Sequence, residues 1–456
     1  MSKHLKVAII GAGPAGIYAG NILKTQHPDV EIDLFDSLPA PYGLIRYGVA
    51  PDHPRIKGIV NSLHEMLAEG TIRFYGNVTF GTDLHLKDIR EHYHAVIFAT
   101  GAIKDAELNI PGIEIDGSYG AADFVSWYDG HPDYPRTWPL NAKQVAVLGN
   151  GNVALDVARV LAKLPDDMLS TDIPANVYEG LKQSPVTDVH VFGRRGPASI
   201  KFTPIELREL GEVENVDIVV YEEDFAPLPG KDSWFDEDAE GITNQHKVMA
   251  RVMNEWRTRE LTGAPRRLHL HFWHKPVEII GTDGKVSGMK FERTADAGAG
   301  AISNTGEFRN YDVQAVYRAI GYFGSELPGI PFDEKYGVIR NDGGRVVDEH
   351  GKRVVGMYAT GWIKRGPVGL IGHTKSDAME TIANLVSDIE TLVDPTQESV
   401  LTKLIERGVE YTDWSGWLKL NEHEIALGAA DTSPIERERV KVVEREEMVR
   451  VSRNGN

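Results

Sequence analysis

His4-Leu-Lys-Val-Ala-Ile-Ile-Gly-Ala-Gly-Pro-Ala-Gly16 decides the fold: a short apolar run feeds directly into Gly11-x-Gly13-x-x-Gly16. The pattern predicts a buried parallel strand over residues 5–10, a tight glycine turn and a helix from about residue 14 to 24. Gly11 lets the chain turn, Gly13 lets backbone approach a pyrophosphate, and Gly16 lets the helix pack closely on its strand. The helix N-terminus then offers amide donors and its positive dipole to phosphates. Alone this spacing is a weak signal, equally a glycine-rich turn, but a second apolar run over residues 30–35 ends in Asp36. A carboxylate placed there can hydrogen-bond a ribose hydroxyl. Dinucleotide binding is therefore expected at residues 11–36.

Working outward, residues 37–54 are dense in Pro and Gly yet carry Leu44, Tyr47 and Val49. These side chains can line an apolar slot for a flat ring or simply pack. Residues 55–67 have helical apolar spacing, and strands are expected near residues 72–75 and 94–101. A second fingerprint, Gly149-x-Gly151-x-x-Ala154, follows the apolar run 144–148 and opens a helix over 152–164. Two such units in one chain imply two dinucleotides, which is far more specific than either copy. The next strand, 188–192, ends in Gly193-Arg194-Arg195. Paired guanidinium groups suit a 2′-phosphate through bidentate contacts, whereas a carboxylate there would suit a free ribose hydroxyl.

The remaining chain is less informative. Glu206, on an amphipathic helix, reads equally as a surface charge or a site residue. Residues 221–240 are acidic and expected to be exposed. A helix over 244–261 carries Lys247, Arg251, Arg257 and Arg259, with Arg266 and Arg267 beyond it. This is either a solvated face or a basic docking patch. Strands at 269–273, 277–280 and 286–293 suggest an antiparallel section, with a small-residue loop at 297–305. Residues 315–322 form a strand that returns the chain toward its first domain. Trp362 and the glycines after it suit either a tight turn or a cofactor. Residues 399–456 read as helical and charged, without chemistry.

Composition sets limits. The 456 residues are 41% hydrophobic and 25% charged, enough for two or three domains. With no cysteine at all, disulfides, CxxC redox pairs and thiolate-held clusters are excluded. A net charge of -18 argues against general nucleic-acid binding but not against a locally basic docking patch. No apolar run is long enough to span a membrane. The few residues before the first strand make a cytoplasmic address the expectation. Oligomeric state is not encoded in any of these features.

Together, Gly11-Ala-Gly-Pro-Ala15, residues 41–54, residues 149–159, Gly193-Arg-Arg-Gly196 and residues 362–372 resemble the adrenodoxin-reductase type of NADPH-ferredoxin reductase, over nearly the whole chain. The resemblance implies an α/β fold of two Rossmann-like dinucleotide-binding domains. FAD would be held by residues 1–105 and 325–456, and an inserted NADPH domain would span 106–324. It places FAD contacts at Gly11, Gly13, Ala15, Gly16, Asp36, Leu44, Val78, Trp362, Gly369, Leu370 and Ile371. NADPH contacts fall at Asn150, Gly151, Asn152, Val153, Arg194, Arg195, Glu206 and Gly369. His53, Asp156 and Trp362 are the candidate catalytic residues, the first two as proton handlers or domain positioners. The implied reaction passes hydride from NADPH to the flavin and then single electrons to a ferredoxin-like iron-sulfur protein; it requires no metal site. The family's usual ribose Glu is Asp36 here, and Ala106 replaces an arginine that helps hold NADP. A flavin monooxygenase and an FAD/NADPH redox-sensing binding protein are the competing readings. A disulfide reductase lacks its cysteines.

Overall fold

The computed structural model describes residues 4–200, 202–228, 232–298, 301–368, 371–396 and 399–454. Two sheets dominate it. One has eight strands in the order Asn341–Asp342, Arg345–Val347, Arg353–Ala359, Ala95–Phe98, Lys6–Ile10, Glu31–Phe35, Arg73–Gly76 and Thr412–Asp413. Its five central strands run parallel, with short antiparallel edges. Val7, Ala8, Ile9 and Ile97 are fully buried, as expected when helices cover both faces of a parallel sheet. This sheet is built from both ends of the chain.

The second sheet is wholly parallel, ordered Ser118–Gly120, Ala315–Arg318, Gln144–Leu148, Asp188–Phe192, Arg266–His271 and Val216–Val220. A three-stranded antiparallel sheet, His274–Thr282, Lys285–Gly298 and Ala301–Tyr311, packs on one of its faces through Phe192, Met289 and Phe291. The chain crosses between the two large sheets at Lys104–Asp105 and at Tyr322–Phe323. These crossing segments pair with each other antiparallel.

Several expectations need correction. The strand at 266–271 is parallel and belongs to the large sheet, not to the antiparallel section. The expected loop at 297–305 is mostly strand, because the two long arms of a hairpin run to Gly298 and restart at Ala301. The helix over 55–67 is broken at Gly58 into Pro54–Lys57 and Ile59–Ala68. The acidic stretch 221–240 is not uniformly exposed: Asp224, Phe225, Trp234 and Phe235 are buried, and Arg293 pairs with Asp224 at 2.7 Å. Among the described residues no helix is long and apolar enough to cross a membrane.

Candidate functional site

Both fingerprints form the turns their glycines require. Gly11 has φ +110°, and a Cβ there would lie 2.4 Å from the Ala99 carbonyl oxygen. A Cβ on Gly16 would lie 2.0 Å from the Gly11 carbonyl, so helix Pro14–Gln26 packs directly on its strand. Asp36 accepts hydrogen bonds from the Ala12 amide at 2.7 Å and the Leu38 amide at 2.9 Å. Desolvation outweighs those two bonds and pushes its carboxyl up to about 6. Tyr42 sits at φ +85°, unusual for a bulky side chain, and its amide donates to the Ala12 carbonyl at 2.8 Å. That bond lays Gly43 against Gly13, where a Cβ on Gly43 would be 2.9 Å from the Gly13 Cα.

A cavity of about 380 Å³ runs along this turn. Gly11, Gly13, Ala15, Asp36, Leu44 and Val78 line it. Trp362, Tyr322 and Val153 also line it and pack in one hydrophobic cluster. Gly361 presses on Ala15, where a Cβ would meet the Ala15 methyl at 2.6 Å. The Tyr322 hydroxyl is buried in the wall without a partner among the described residues, while Tyr47 lies against Arg46. Such an orphan is costly unless a ligand satisfies it, and an apolar slot with a free phenol donor fits a flavin dinucleotide. Gly369 and Leu370 lie outside the described residues; Ile371 opens helix Ile371–Ser387.

The second turn repeats the first. Gly149 has φ +130°, with a hypothetical Cβ 2.2 Å from the Ala319 carbonyl. A Cβ on Gly151 would meet nothing within 4 Å, leaving an open cradle at the start of helix Asn152–Ala162. Asn152 Oδ1 is buried without a partner among the described residues, and the Asn150 side chain packs against Gly193. Arg194 is exposed and Arg195 half-buried on the turn after Asp188–Phe192. An open cradle, an orphaned acceptor and two arginines fit a phosphorylated pyridine dinucleotide.

His53 lies between two carboxylates. Its Nε2 is 2.9 Å from Asp156 Oδ1 and its Nδ1 3.0 Å from Glu209 Oε2. Burial opposes the charge, but Asp156 outweighs it and the imidazole is raised above its ordinary value. Neighbouring Asp52 takes a bidentate grip from buried Arg159 at 2.7 and 2.8 Å, which holds its carboxyl well below the usual range despite burial. Asp156 accepts from the same arginine at 3.0 Å. The loop before residue 54 is thereby latched to the helix of the second fingerprint. Neither His53 nor Asp156 is among the cavity walls; of the three candidate catalytic residues only Trp362 is.

Glu206 is buried, and its Oε2 accepts from the Thr203 amide and hydroxyl in a capping box. Burial raises its carboxyl. Glu209, one turn further on, makes the His53 contact and was missed, although the Glu-x-x-Glu spacing places both on one helix face. The C-terminal segment also contributes. Arg46 of the flavin-side loop is buried against Glu424 at 3.1 and 2.5 Å, and Lys441 donates to the Arg46 carbonyl at 2.8 Å. The six basic residues near helix Asn244–Thr258 split into two sets. Arg257 pairs with Glu222, Arg266 donates to the Lys163 carbonyl, and Arg267 pairs with Asp188. Lys247, Arg251 and Arg259 keep no side-chain partner among the described residues.

His190, His269 and His271 also cluster, with ring planes 13° to 24° apart. His190 Nδ1 lies 3.0 Å from His271 Nε2, while His269 reaches Asp188 at 2.9 Å and Tyr221 at 2.8 Å. Lone pairs in parallel planes do not converge on one point, so the cluster is a hydrogen-bonded ladder of neutral rings.

Two parallel nucleotide folds meeting at one apolar cavity define a flavin- and pyridine-nucleotide-dependent oxidoreductase. Residues 5–194 match the family model described as pyridine nucleotide-disulphide oxidoreductase. Over 96% of its length the chain is 35% identical to mitochondrial NADPH:adrenodoxin oxidoreductase of Arabidopsis thaliana, covering 94% of that protein. It is 36% identical to NADPH-ferredoxin reductase FprA of Mycobacterium tuberculosis, covering 98% of each chain. The solved structure of that FprA in complex with NADPH superimposes with a TM-score of 0.89, covering 99% of this chain and all of the other. The chain belongs to the NADPH-ferredoxin and adrenodoxin reductase family. It is an oxidoreductase whose cofactors are FAD and NADPH.

Proposed function

We propose that this chain carries electrons from NADPH through FAD to a ferredoxin-like iron-sulfur protein. Residues 1–105 and 325–456 hold FAD, and 106–324 hold NADPH. One observation supports this reading most: Val153, opening the helix of the second fingerprint, lines the same cavity as Gly13 and Asp36 of the first. The two nucleotide seats are thus continuous. The chemistry supplied by the bound pair is hydride transfer from nicotinamide to flavin, followed by electron release one at a time.

In this reading the protein orients, encloses and neutralises. Asp36 meets the FAD ribose, and Ala15, Leu44, Val78, Trp362 and Tyr322 wall the cavity. Gly369, Leu370 and Ile371 complete the flavin side. Asn150, Gly151, Asn152 and Val153 form the NADPH phosphate cradle, Arg194 and Arg195 take the 2′-phosphate, and Glu206 is a further NADPH contact. His53 and Asp156 are positioning residues, since they act through the loop and helix they join. An acidic acceptor docks at Lys247, Arg251 and Arg259.

The test is NADPH-driven cytochrome c reduction by the purified flavoprotein, with and without a two-iron ferredoxin. Strong stimulation by ferredoxin is expected. Arg251→Glu should lower the apparent ferredoxin affinity by about tenfold, the order of one interfacial charge reversed, and flatten its salt dependence. NADPH oxidation by a small dye should be unchanged. Flavin reduction without ferredoxin stimulation would move the assignment to an oxygenase or a sensor.

A further inference from the structure

The three-stranded antiparallel sheet is not needed to build either nucleotide fold, yet it and the connector that leads into it grip one turn of the second at every carbonyl. His274 donates its amide to the Gly193 carbonyl at 2.9 Å, and Trp273 donates its amide to the Arg195 carbonyl at 3.2 Å. Between them the Thr294 hydroxyl donates to the Arg194 carbonyl at 2.8 Å. The grip is itself braced. The Thr294 amide donates to the Trp273 carbonyl at 3.0 Å, and the Trp273 indole N–H donates to the Asp224 carbonyl at 3.2 Å.

Trp273 holds φ +60°, a left-handed conformation that a bulky residue adopts only when its surroundings impose it. The conformation lays its indole flat under Gly196, where a Cβ would lie 2.0 Å from Trp273 Cζ2. Gly196 itself has an ordinary φ of -72°, so the ring rather than the backbone keeps that position free of a side chain.

Long guanidinium side chains gain little from a phosphate if their backbone must be ordered at the same time; a pre-set backbone removes that cost. We propose that this sheet, together with the connector residue Trp273 that leads into it, is the specificity element for the pyridine nucleotide, with Thr294 and Trp273 as positioning residues that pre-set the Gly193–Arg195 backbone for a 2′-phosphate. The inference rests on the reading that Arg194 and Arg195 take that phosphate. The 5′ end of the nucleotide, seated on the Gly151 cradle, is indifferent to it.

The test titrates the FAD-loaded protein calorimetrically with 2′,5′-ADP and with 5′-AMP. Thr294→Val should weaken 2′,5′-ADP by about three- to tenfold, the order of one lost hydrogen bond, and leave 5′-AMP unchanged. Thr294→Ser, which keeps the hydroxyl, should restore wild-type affinity. In turnover, Thr294→Val should raise KM for NADPH with kcat unchanged and KM for NADH unmoved. Gly196→Ala, whose methyl must displace the Trp273 ring, is expected to show the same selectivity and carries the test if Thr294→Val does not fold. Equal weakening of both ligands, or wild-type behaviour of both variants, overturns the proposal. Arg194→Gln separates the two levels. If it spares 2′,5′-ADP, the phosphate reading itself falls; if it weakens 2′,5′-ADP while Thr294→Val does not, only the role of the sheet falls.

Discussion

The two glycine turns share a spacing and meet opposite surroundings. The first is roofed: Gly43 lies on Gly13, Gly361 presses on Ala15, and the Gly11 amide donates to the Phe35 carbonyl at 2.7 Å. Its roof comes from segments more than 300 residues apart in sequence. In the second turn the Gly149 amide makes the equivalent bond to Phe192 at 2.9 Å, but Gly151 faces open space. On the proposed assignment, identical local chemistry serves one seat that keeps its ligand and one that exchanges it. A resident electron carrier and a consumed reductant call for that asymmetry.

Substituting one glycine in each turn tests the contrast most severely. Gly11→Ala forces a methyl into the Ala99 carbonyl at a backbone angle that L residues avoid, so a loss of about 4 kcal/mol or more is expected, with flavin-free or aggregated protein. Gly151→Ala adds its methyl to open space at φ -106° and should lower Tm by no more than about 2 °C. Its KM for NADPH should nonetheless rise at least about tenfold, because the methyl occupies the path of a phosphate. Flavin content, Tm and KM measured on both variants decide it. Equal stability losses would break the contrast.

The latch between the halves comes next. Arg159→Met leaves buried Asp52 with only Lys163 at 3.3 Å and Asp156 with only His53 at 2.9 Å, which should cost about 3 kcal/mol in urea unfolding. Adding Asp52→Asn should recover part of it. If the single variant unfolds like the wild type, the two halves do not depend on this contact.

Much of this was legible from residues close in sequence. Both turns, Asp36 and the Arg194-Arg195 pair follow from local spacing, because each glycine's steric role is set by its immediate neighbours. The resemblance supplied His53 and Asp156, which a periodicity argument does not bring together. Glu209 carries no local signal that separates it from a surface charge, because its partner His53 lies far away in sequence. Glu424 and Lys441 were beyond reach, since the Arg46 contact spans 378 residues and leaves no periodic trace. Misreading 221–240 has the same root: Asp224 is charged, and its burial is made tolerable by the Phe272 amide and Arg293, 48 and 69 residues away. The 297–305 hairpin failed differently. Its small residues lack strand alternation because most of those that can be described are exposed and pack against no core.

Acidification separates the halves by sign. In the second sheet burial lowers His190 to about 3, and His269 and His271 move the same way; His274, at the start of the antiparallel sheet packed on it, is lowered to about 4. Asp188 and Arg267 border that ladder, with Arg293 against His274. A histidine whose folded value lies below its unfolded 6.5 takes up its proton only on unfolding, so stability falls as pH drops from 6.5 toward 4. In the first sheet Asp36, raised to about 6, binds its proton more tightly when folded. In FAD-free protein it therefore adds stability as pH falls from about 6 toward 3.8. Between pH 6.5 and 5.5, His190 and His274 together should cost the second sheet and the antiparallel sheet packed on it about 2 kcal/mol, from roughly 1.4 kcal/mol per group per pH unit less the rounding near each midpoint. Hydrogen exchange, corrected for its intrinsic pH dependence, should show protection of Gln144–Leu148 and Asp188–Phe192 dropping over that unit while Lys6–Ile10 holds. His190→Asn, which removes one depressed group, should shrink the drop. A uniform loss across both sheets would mean that the halves open as one unit, and that the difference between the two turns stops at the ligand.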